Sequence, residues 1–408
     1  MFTNPYVRTI FVSRVFLQLG IWIRNLAVLL YVTDLTHNDS FYVSLISVLE
    51  YAPIFIFALL GGTLADRWRP KRTMVWSDAI SAASVLAVWA ALALGSWYAL
   101  LFGTFLSASL SQFSQPSALK LYKKHVPAEH FQSVMALSQS LVAVFMVVGP
   151  LVGTFIFIQA GIHLSLALTF VFFLLSALTL ATLPRDVQES QTAARGTLFA
   201  EMKAGVRYIA ATRALRVLSA AFAAAGLAAG LIQPLLIFIV MEKLGMEKSF
   251  IQWTLMINGA AMLIGGMAIM GVAKKIKPQV LLTIGLLVSA VCTVIVGAST
   301  SVVLSLAMQV ISGLFYPCIQ IGIQSMIMRN TEAAFIGRVG GAITPIFMGM
   351  MVIGMLLGSY VKEATSLFTV YAISGGLLAV GAMLLLPLLT GSGKRVLEQG
   401  DPPAASSR

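Results

Sequence analysis

Long apolar runs recur along the whole chain, separated by short polar stretches. A spanning helix needs roughly 20 mostly apolar residues, and twelve such segments can be read. In the first half they lie near residues 9–33, 41–65, 73–94, 97–120, 131–158 and 162–183. In the second half they lie near 214–240, 250–273, 279–297, 301–327, 337–360 and 366–389. The longest polar stretch, 184–213, divides the chain near its middle. Within it Leu198, Met202, Val206 and Ile209 share one helical face, while Lys203 and Arg207 point elsewhere. This spacing predicts an amphipathic helix from Thr197 to Ala210, lying in the membrane interface. From Gly391 onward, Gly, Ser and two prolines predict a disordered tail. The expected organisation is a six-helix bundle over 1–183, a linker over 184–213, a second six-helix bundle over 214–390 and a tail over 391–408. The fold class is all-α, an integral membrane protein.

Composition agrees with lipid as the solvent. Hydrophobic residues make up 59% of the chain and charged residues 10%, against about 25% charged in soluble domains. The formal net charge of +12 raises the question of nucleic acid, but the distribution of Lys and Arg answers it. With the N-terminus inside, every loop Lys or Arg except Lys243, Lys248 and Lys362 falls on one side. This positive-inside asymmetry predicts a multi-pass protein of the cell (inner) membrane with both termini cytoplasmic, and no nucleic-acid partner. Arg14 interrupts the first apolar run, which is too long for a signal-peptide core and is expected to remain as a spanning helix.

Cys292 and Cys318 lie inside apolar runs and read as small hydrophobes. The four histidines, His37, His125, His130 and His163, fall in loops or at segment ends and make no metal set. No phosphate-binding loop, zinc-protease motif, nucleophile elbow or dinucleotide fingerprint occurs. The chain is therefore expected to be no enzyme, to need no cofactor or metal, and to work as a monomer.

The two halves resemble each other. Asp66 to Lys71, DRWRPK, meets Lys274 to Gln279, KKIKPQ, at a shift of 208 with a basic-Pro pair in register. Gly149 to Ile156, GPLVGTFI, meets Gly354 to Val361, GMLLGSYV, at a shift of 205. Each match is short, but both shifts are close to half the chain length, as parallel repeats require.

Gly62 to Arg72 reads GTLADRWRPKR, between the second and third segments on the basic side. Glycine lets a backbone approach a neighbour closely, and an acid beside a basic cluster can form an ion network or meet a helix N-terminus. The string resembles the signature loop of the major facilitator superfamily, G-x-L-A-D-R-x-x-R-[KR]. That resemblance implies twelve helices in two pseudo-symmetric bundles. It also implies an inner gate built from Gly62, Asp66, Arg67, Arg69, Lys71 and Arg72. Asp66 would secure it against the start of the eleventh segment, near Gly337 and Arg338. Pro70 stands where the family usually has a small or polar residue. The plain alternative is a positive-inside loop with one stray acid. Gly149, Pro150 and Gly153, within the fifth segment, resemble the antiporter motif of drug:proton exporters; the alternative is an ordinary proline kink. Two further stretches resemble the bacterial macrolide-efflux and siderophore-exporter branch. One runs from Tyr51-Ala52-Pro53 through the signature loop to Asp78. The other is Val126-Pro127-Ala128-Glu129 followed by Ser138-Gln139-Ser140.

Charges inside spanning segments cost about 2.5–3.5 kcal/mol at the helix centre, so their positions carry information. Arg24 and Glu50 should sit at similar depth on the first two segments and can face each other. Burial favours the neutral form of a carboxyl group and a nearby guanidinium favours the ionised one. Glu50 is thus the main candidate for proton coupling, with Arg24 and Asp78 beside it. The alternative is a static Arg24–Glu50 bridge. For Asp78 a salt bridge to the loop arginines is the plainer expectation, and Asp34 is expected to be solvated. Arg14, Gln18 and Asn25 fall within about 40° on a helical wheel and should face a central cavity. In the second half Gln309, Ser312, Tyr316, Gln320 and Gln324 form a polar stripe on the tenth segment, with Asn258 and Gln233 nearby. Polar helix–helix glue is the alternative.

The function expected from these features is secondary active transport. It is read as proton-coupled export of amphiphilic drugs or macrolide-like compounds by alternating access, with protons and a small amphiphilic substrate as partners in the lipid bilayer. A dedicated exporter of one natural metabolite, such as a siderophore or antibiotic, is the nearest alternative. A membrane sensor or scaffold with a transporter-like fold is an alternative of another class.

Overall fold

The computed structural model describes residues 4–184, 198–272, 275–332 and 335–389, without the side chains of 58–67, 198–202, 270, 272 and 389. Every regular element among the described residues is helical. The order is α1 (Pro5–Leu35), α2 (Ser40–Arg67), α3 (Pro70–Ala93), α4 (Ala99–His125), α5 (Ala128–Ala181), α6 (Leu198–Ala211) and α7 (Arg213–Ile232). Then come α8 (Leu236–Phe238), α9 (Ile251–Val272), α10 (Pro278–Ala298), α11 (Val302–Asn330), α12 (Ile336–Ala364) and α13 (Leu367–Leu389). In lipid each backbone N–H and C=O must find its partner within the chain, and a helix satisfies them locally. Ten helices among the described residues are long and apolar enough to cross a membrane. The predicted disordered tail and residues 185–197 of the predicted linker lie outside the described residues.

Three predicted segments differ from the helices observed. The fifth and sixth appear as one element, α5, of 54 residues. At 1.5 Å per residue it would measure about 80 Å, far more than the ~30 Å hydrocarbon core. The chain resolves this at Gly161, whose φ of 69° and ψ of −171° belong to a region open essentially to glycine alone. The predicted seventh segment, 214–240, stops at Ile232 instead. Pro234 follows, which has no N–H to continue the helix. The chain resumes as α8 and runs into a π-helical turn over Ile239–Lys243.

Both internal sequence matches have structural counterparts. Arg69-Pro70 and Lys277-Pro278 are the N-cap and first residue of α3 and α10. Proline suits that position, because its missing donor would be unpaired there in any case. The second match supplies close helix contacts. A Cβ added to Gly153 would lie 2.6 Å from the Trp22 carbonyl oxygen, and one on Gly149 would lie 2.4 Å from the Trp22 ring. Gly354 and Gly358 do the same for α7, with added Cβ atoms 2.4 Å from the carbonyl oxygens of Leu227 and Leu231. In each case a glycine pair seats the first long helix of its own half of the chain.

Helix α6 covers Leu198–Ala211, within the segment predicted as a linker. It docks on α12. A Cβ on Gly205 would meet the Arg338 carbonyl oxygen at 2.4 Å, Tyr208 stacks on Phe335 with ring centroids 4.8 Å apart, and Ile209 is buried. Val206 remains exposed.

The glycine seats make a direct prediction. Gly153→Ala and Gly358→Ala each force a methyl group against backbone and should cost about 1–3 kcal/mol, as overpacking does. Thermal unfolding in detergent checks this: each variant should melt below the wild type, and an unchanged melting temperature would show a looser seat.

Candidate transport site

Three polar side chains meet across α1 and α2. Arg24 donates from Nε and Nη2 to Asn25 Oδ1, at 3.1 and 2.8 Å. Asn25 Nδ2 donates to Glu50 Oε1 at 2.6 Å. Arg24 and Glu50 therefore communicate through the Asn25 amide; no direct ion pair joins them among the described residues. Arg24 is buried, with its guanidinium carbon 6.0 Å from the centre of the Phe173 ring on α5. Asn25 and Glu50 are half-buried. Gln18, about two helical turns before Asn25 on α1, is also half-buried.

A second polar cluster lies nearer the end that carries residue 5. Asp78 is 3% exposed and accepts a hydrogen bond from Ser176 Oγ at 2.6 Å. The Ser176 and Ser13 hydroxyls lie 2.8 Å apart. Among the described residues the hydrogen bond to Asp78 comes from the Ser176 hydroxyl of α5, which Ser13 of α1 supports in turn. Arg14 lies within electrostatic reach of Asp78 and donates from Nη2 to the Ser114 carbonyl oxygen and hydroxyl, at 2.9 and 3.2 Å. Arg14 is half-buried between α1 and α4.

On the second half of the chain, Asn258 Nδ2 donates to the backbone and side-chain oxygens of Gln309 at 3.0 and 3.1 Å. Gln320 Nε2 donates to the Tyr316 hydroxyl at 2.7 Å. Tyr316, Gln320, Gln324 and Gln233 are exposed, and Ser312 is half-buried. Tyr51, next to Glu50, lies in the electrostatic field of both Glu50 and Tyr316. This brings α2 and the α11 stripe to one place. The sequence reading missed a matching polar run on α4, where Ser111 and Gln112 are half-buried and Gln115 is exposed. Its signal was present: α4 carries an internal proline, Pro116, as α11 carries Pro317. The same Ser and Gln residues keep α4 below the apolarity of the other spanning helices.

The side chains of Gly62, Asp66 and Arg67 lie outside the described residues. Arg69 caps α3. Lys71 Nζ donates to the Ala181 carbonyl oxygen at 2.9 Å and to that of Leu183, at the C-terminal end of α5. A cation there complements the helix dipole. Arg72 and Arg338 are exposed, with Arg338 over the Phe335 ring at 5.2 Å. Gly149, Pro150 and Gly153 are buried against α1.

At the far end of the bundle, polar contacts join the two halves of the chain. Lys248 pairs with Asp34 and lies over Phe157 at 5.7 Å. Asp34, expected to be merely solvated, therefore has a cationic partner. Ser40 Oγ donates to Glu363 Oε1 at 2.9 Å. Apolar contacts continue inward: Leu26, Leu30 and Val43 pack with Leu231, Leu235 and Phe238, and Val48 packs with Met351 and Met355. Near mid-bundle, a Cβ on Gly349 would touch Phe55 at 2.9 Å. Among the described residues no group of His, Cys, Asp or Glu is placed to hold a metal ion.

An all-helical, multi-pass bundle with polar residues gathered between its halves is the architecture of a membrane transporter of the major facilitator type. The nucleoside transporter NupG, solved as a point variant, superposes with a TM-score of 0.75 at 14% identity, covering 94% of this chain and 100% of that one. A POT family transporter in complex with a thioalcohol-conjugated peptide superposes at 0.74 and 12% identity, covering 94% and 96%. At such identities these structures speak to the fold alone. The sequence matches the family model of the transmembrane secretion effectors over residues 1–396, and the chain belongs to that family. It is 22% identical over 361 residues to the uncharacterised MFS-type transporter YkuC of Bacillus subtilis, covering 85% of this chain and 83% of the relative. It is 27% identical over 137 residues to macrolide efflux protein A of Streptococcus pyogenes, covering 33% of this chain and 34% of that protein.

The Asp78 cluster yields a prediction. Ser176→Ala removes the hydroxyl that donates to a buried carboxyl group and should cost about 1–3 kcal/mol, the penalty for an unsatisfied buried polar atom. Thermal unfolding of Ser176→Ala, Asp78→Leu and the double variant checks it. The double should be less impaired than the sum of the singles; strict additivity would place Asp78 outside the cluster's energetics.

Proposed function

We propose that the chain is a proton-coupled exporter of amphiphilic compounds that works by alternating access. The observation that carries this reading is the carboxyl group of Glu50, held by Asn25 in the interior of a membrane bundle and beside the polar wall of α11. A carboxyl there costs free energy in its ionised form and is placed to exchange a proton with the cavity. Its neighbour Arg24 opposes that cost. The proposed architecture is twelve spanning helices, counting α4 and the two parts of α5, in six-helix bundles over 1–183 and 214–390. Their linker would span 184–213. The basic loops favour cytoplasmic termini in the cell (inner) membrane. On that orientation the contacts of Lys248, Asp34, Ser40 and Glu363 close the outer side, and the conformation reads as open to the cytoplasm. Asp66 and the loop around it would close the inner side in the opposite state.

Export rests on the family's description as secretion effectors and on the partial likeness to a macrolide efflux protein. The cavity-facing candidates, Gln18, Asn25, Tyr316, Gln320 and Gln324, offer hydrogen bonds without a second carboxylate. The paired amides and hydroxyls of Asn258 with Gln309, and of Gln320 with Tyr316, also suit a dedicated exporter of one polar metabolite. Efflux of a panel of amphiphilic probes, including a macrolide, from a sensitised host separates broad from dedicated export.

Two outcomes test the coupling. Glu50→Gln should abolish gradient-driven efflux in proteoliposomes while leaving substrate binding measurable; full active transport by this variant would remove Glu50 from the mechanism. Asp66→Asn should change the balance of inward and outward states. Spin-label distances across the cytoplasmic side read that balance, and unchanged distances would count against a gate role.

A further inference from the structure

The chemistry of the Arg24–Asn25–Glu50 chain leaves its amide only one productive orientation. A guanidinium has donors and no acceptor, so Asn25 must turn Oδ1 toward Arg24. Its Nδ2 then points at Glu50, which must present an acceptor. The 2.6 Å contact between Nδ2 and Oε1 is that of a strong, charge-assisted bond. Behind this bond, Arg24 is only 5% exposed, and its Nη1 has no hydrogen-bond partner among the described residues. Phe173 covers the guanidinium from α5 and itself packs where a Cβ on Gly20 would stand, at 2.6 Å. Arg24 is thus held in an incompletely satisfied site, and its countercharge reaches it through a single amide.

We propose that Asn25 is the positioning residue through which the protonation of Glu50 is felt by Arg24, and through Arg24 by the seat of α1 on α5. The proposal rests on the reading of Glu50 as the coupling group. When a cavity proton adds to a carboxylate oxygen of Glu50, an O–H bond forms and the group changes from anionic to neutral. The three-residue site passes from overall neutral to singly positive. Nδ2 loses its charged acceptor, and the buried guanidinium loses the charge that offset its desolvation. Removing one partner of a buried charge pair is strongly unfavourable. The favoured response is a state in which Arg24 reaches water. Trp22 and Leu26 flank Arg24 on α1, and both rest on the glycine seat of α5. A displacement of Arg24 must therefore disturb that seat. The titratable or charged groups facing Glu50 are Arg24 on α1 and the adjacent Tyr51 on α2, which in turn faces Tyr316 on α11. From α12, Phe347, Met348, Met351 and Val352 face this part of α2, and α4 meets α2 through Phe113. Among the described residues these add no charge.

The test needs no transported substrate. Infrared difference spectra of the purified protein, taken against Glu50→Gln, follow the protonated-carboxyl band with pH. Spin labels at Leu35 and Met246, exposed positions on the two halves at the far end of the bundle, follow the opening of that end. In the wild type the band and the distance shift should titrate together. In Asn25→Leu the band should persist while the distance shift is lost, and Asn25→Gln, which restores an amide, should recover part of the shift. Elution as a single species on size exclusion and wild-type thermal unfolding separate this loss from misfolding. Should Asn25→Leu prove unfolded, Asn25→Ser, smaller and still polar, serves in its place. A full distance shift in Asn25→Leu would overturn the relay and leave the Glu50 reading standing. Loss of both signals would also overturn it, making Asn25 a determinant of proton affinity alone. A wild type whose distances ignore pH, or a band that survives Glu50→Gln, would remove the Glu50 reading and the relay with it.

Discussion

The carbonyl oxygen of Trp22 occupies the space that a side chain on Gly153 would need. In lipid the tails are as apolar as the helices, so association depends on close packing and on polar contacts between helices rather than on the hydrophobic effect. Small residues that let backbones approach are therefore structural determinants. The seat of α1 on α5 sets where Arg24 and Asn25 stand relative to α2, and hence whether Glu50 can be reached. The seat of α7 on α12 repeats the device in the second half, with Gly354 and Gly358 in the roles of Gly149 and Gly153. Gly149 and Gly153 form a packing surface that positions the α1 residues of the polar cluster.

Much of this was legible in the sequence, for a physical reason. Lipid leaves the backbone no water to bond, so a sufficiently long apolar run has to be a helix, and most helix ends fall within a few residues of those predicted. Depth alone placed Arg24 near Glu50, and helical periodicity placed Asn25 on the cavity stripe. That Asn25 stands between the two depends on side-chain rotamers, which periodicity does not carry. Asp34 and Lys248 are 214 residues apart, and no local pattern could have paired them. Asp78 had plausible arginine partners a few residues away, yet its hydrogen bond comes from Ser176, 98 residues on. Distance along the chain was a poor guide wherever a neighbouring helix offered a hydroxyl.

The two halves are alike in their scaffold and unlike in their polar contents. The first carries Arg14, Arg24, Glu50 and Asp78 inside its helices; the second offers amides and hydroxyls. The contrast is less complete than charge suggested, because α4 carries a Ser and Gln run that matches the one on α11. Proline-bearing polar helices occur in both halves, so the wall of the cavity repeats even though the ionisable groups do not.

The charged contacts of the molecule live in two different electrostatic environments. Asp34 is more than half exposed, and its bond to Lys248 stands in the medium. Mobile ions there act over a Debye length of about 10 Å at 0.1 M. The Arg24 guanidinium, by contrast, is buried away from such ions. The Lys248–Asp34 contact is consequently weakened by salt around the protein, whereas the buried guanidinium is insulated from it. A change of ionic surroundings can thus loosen one contact between the halves without reaching the charge buried within the first.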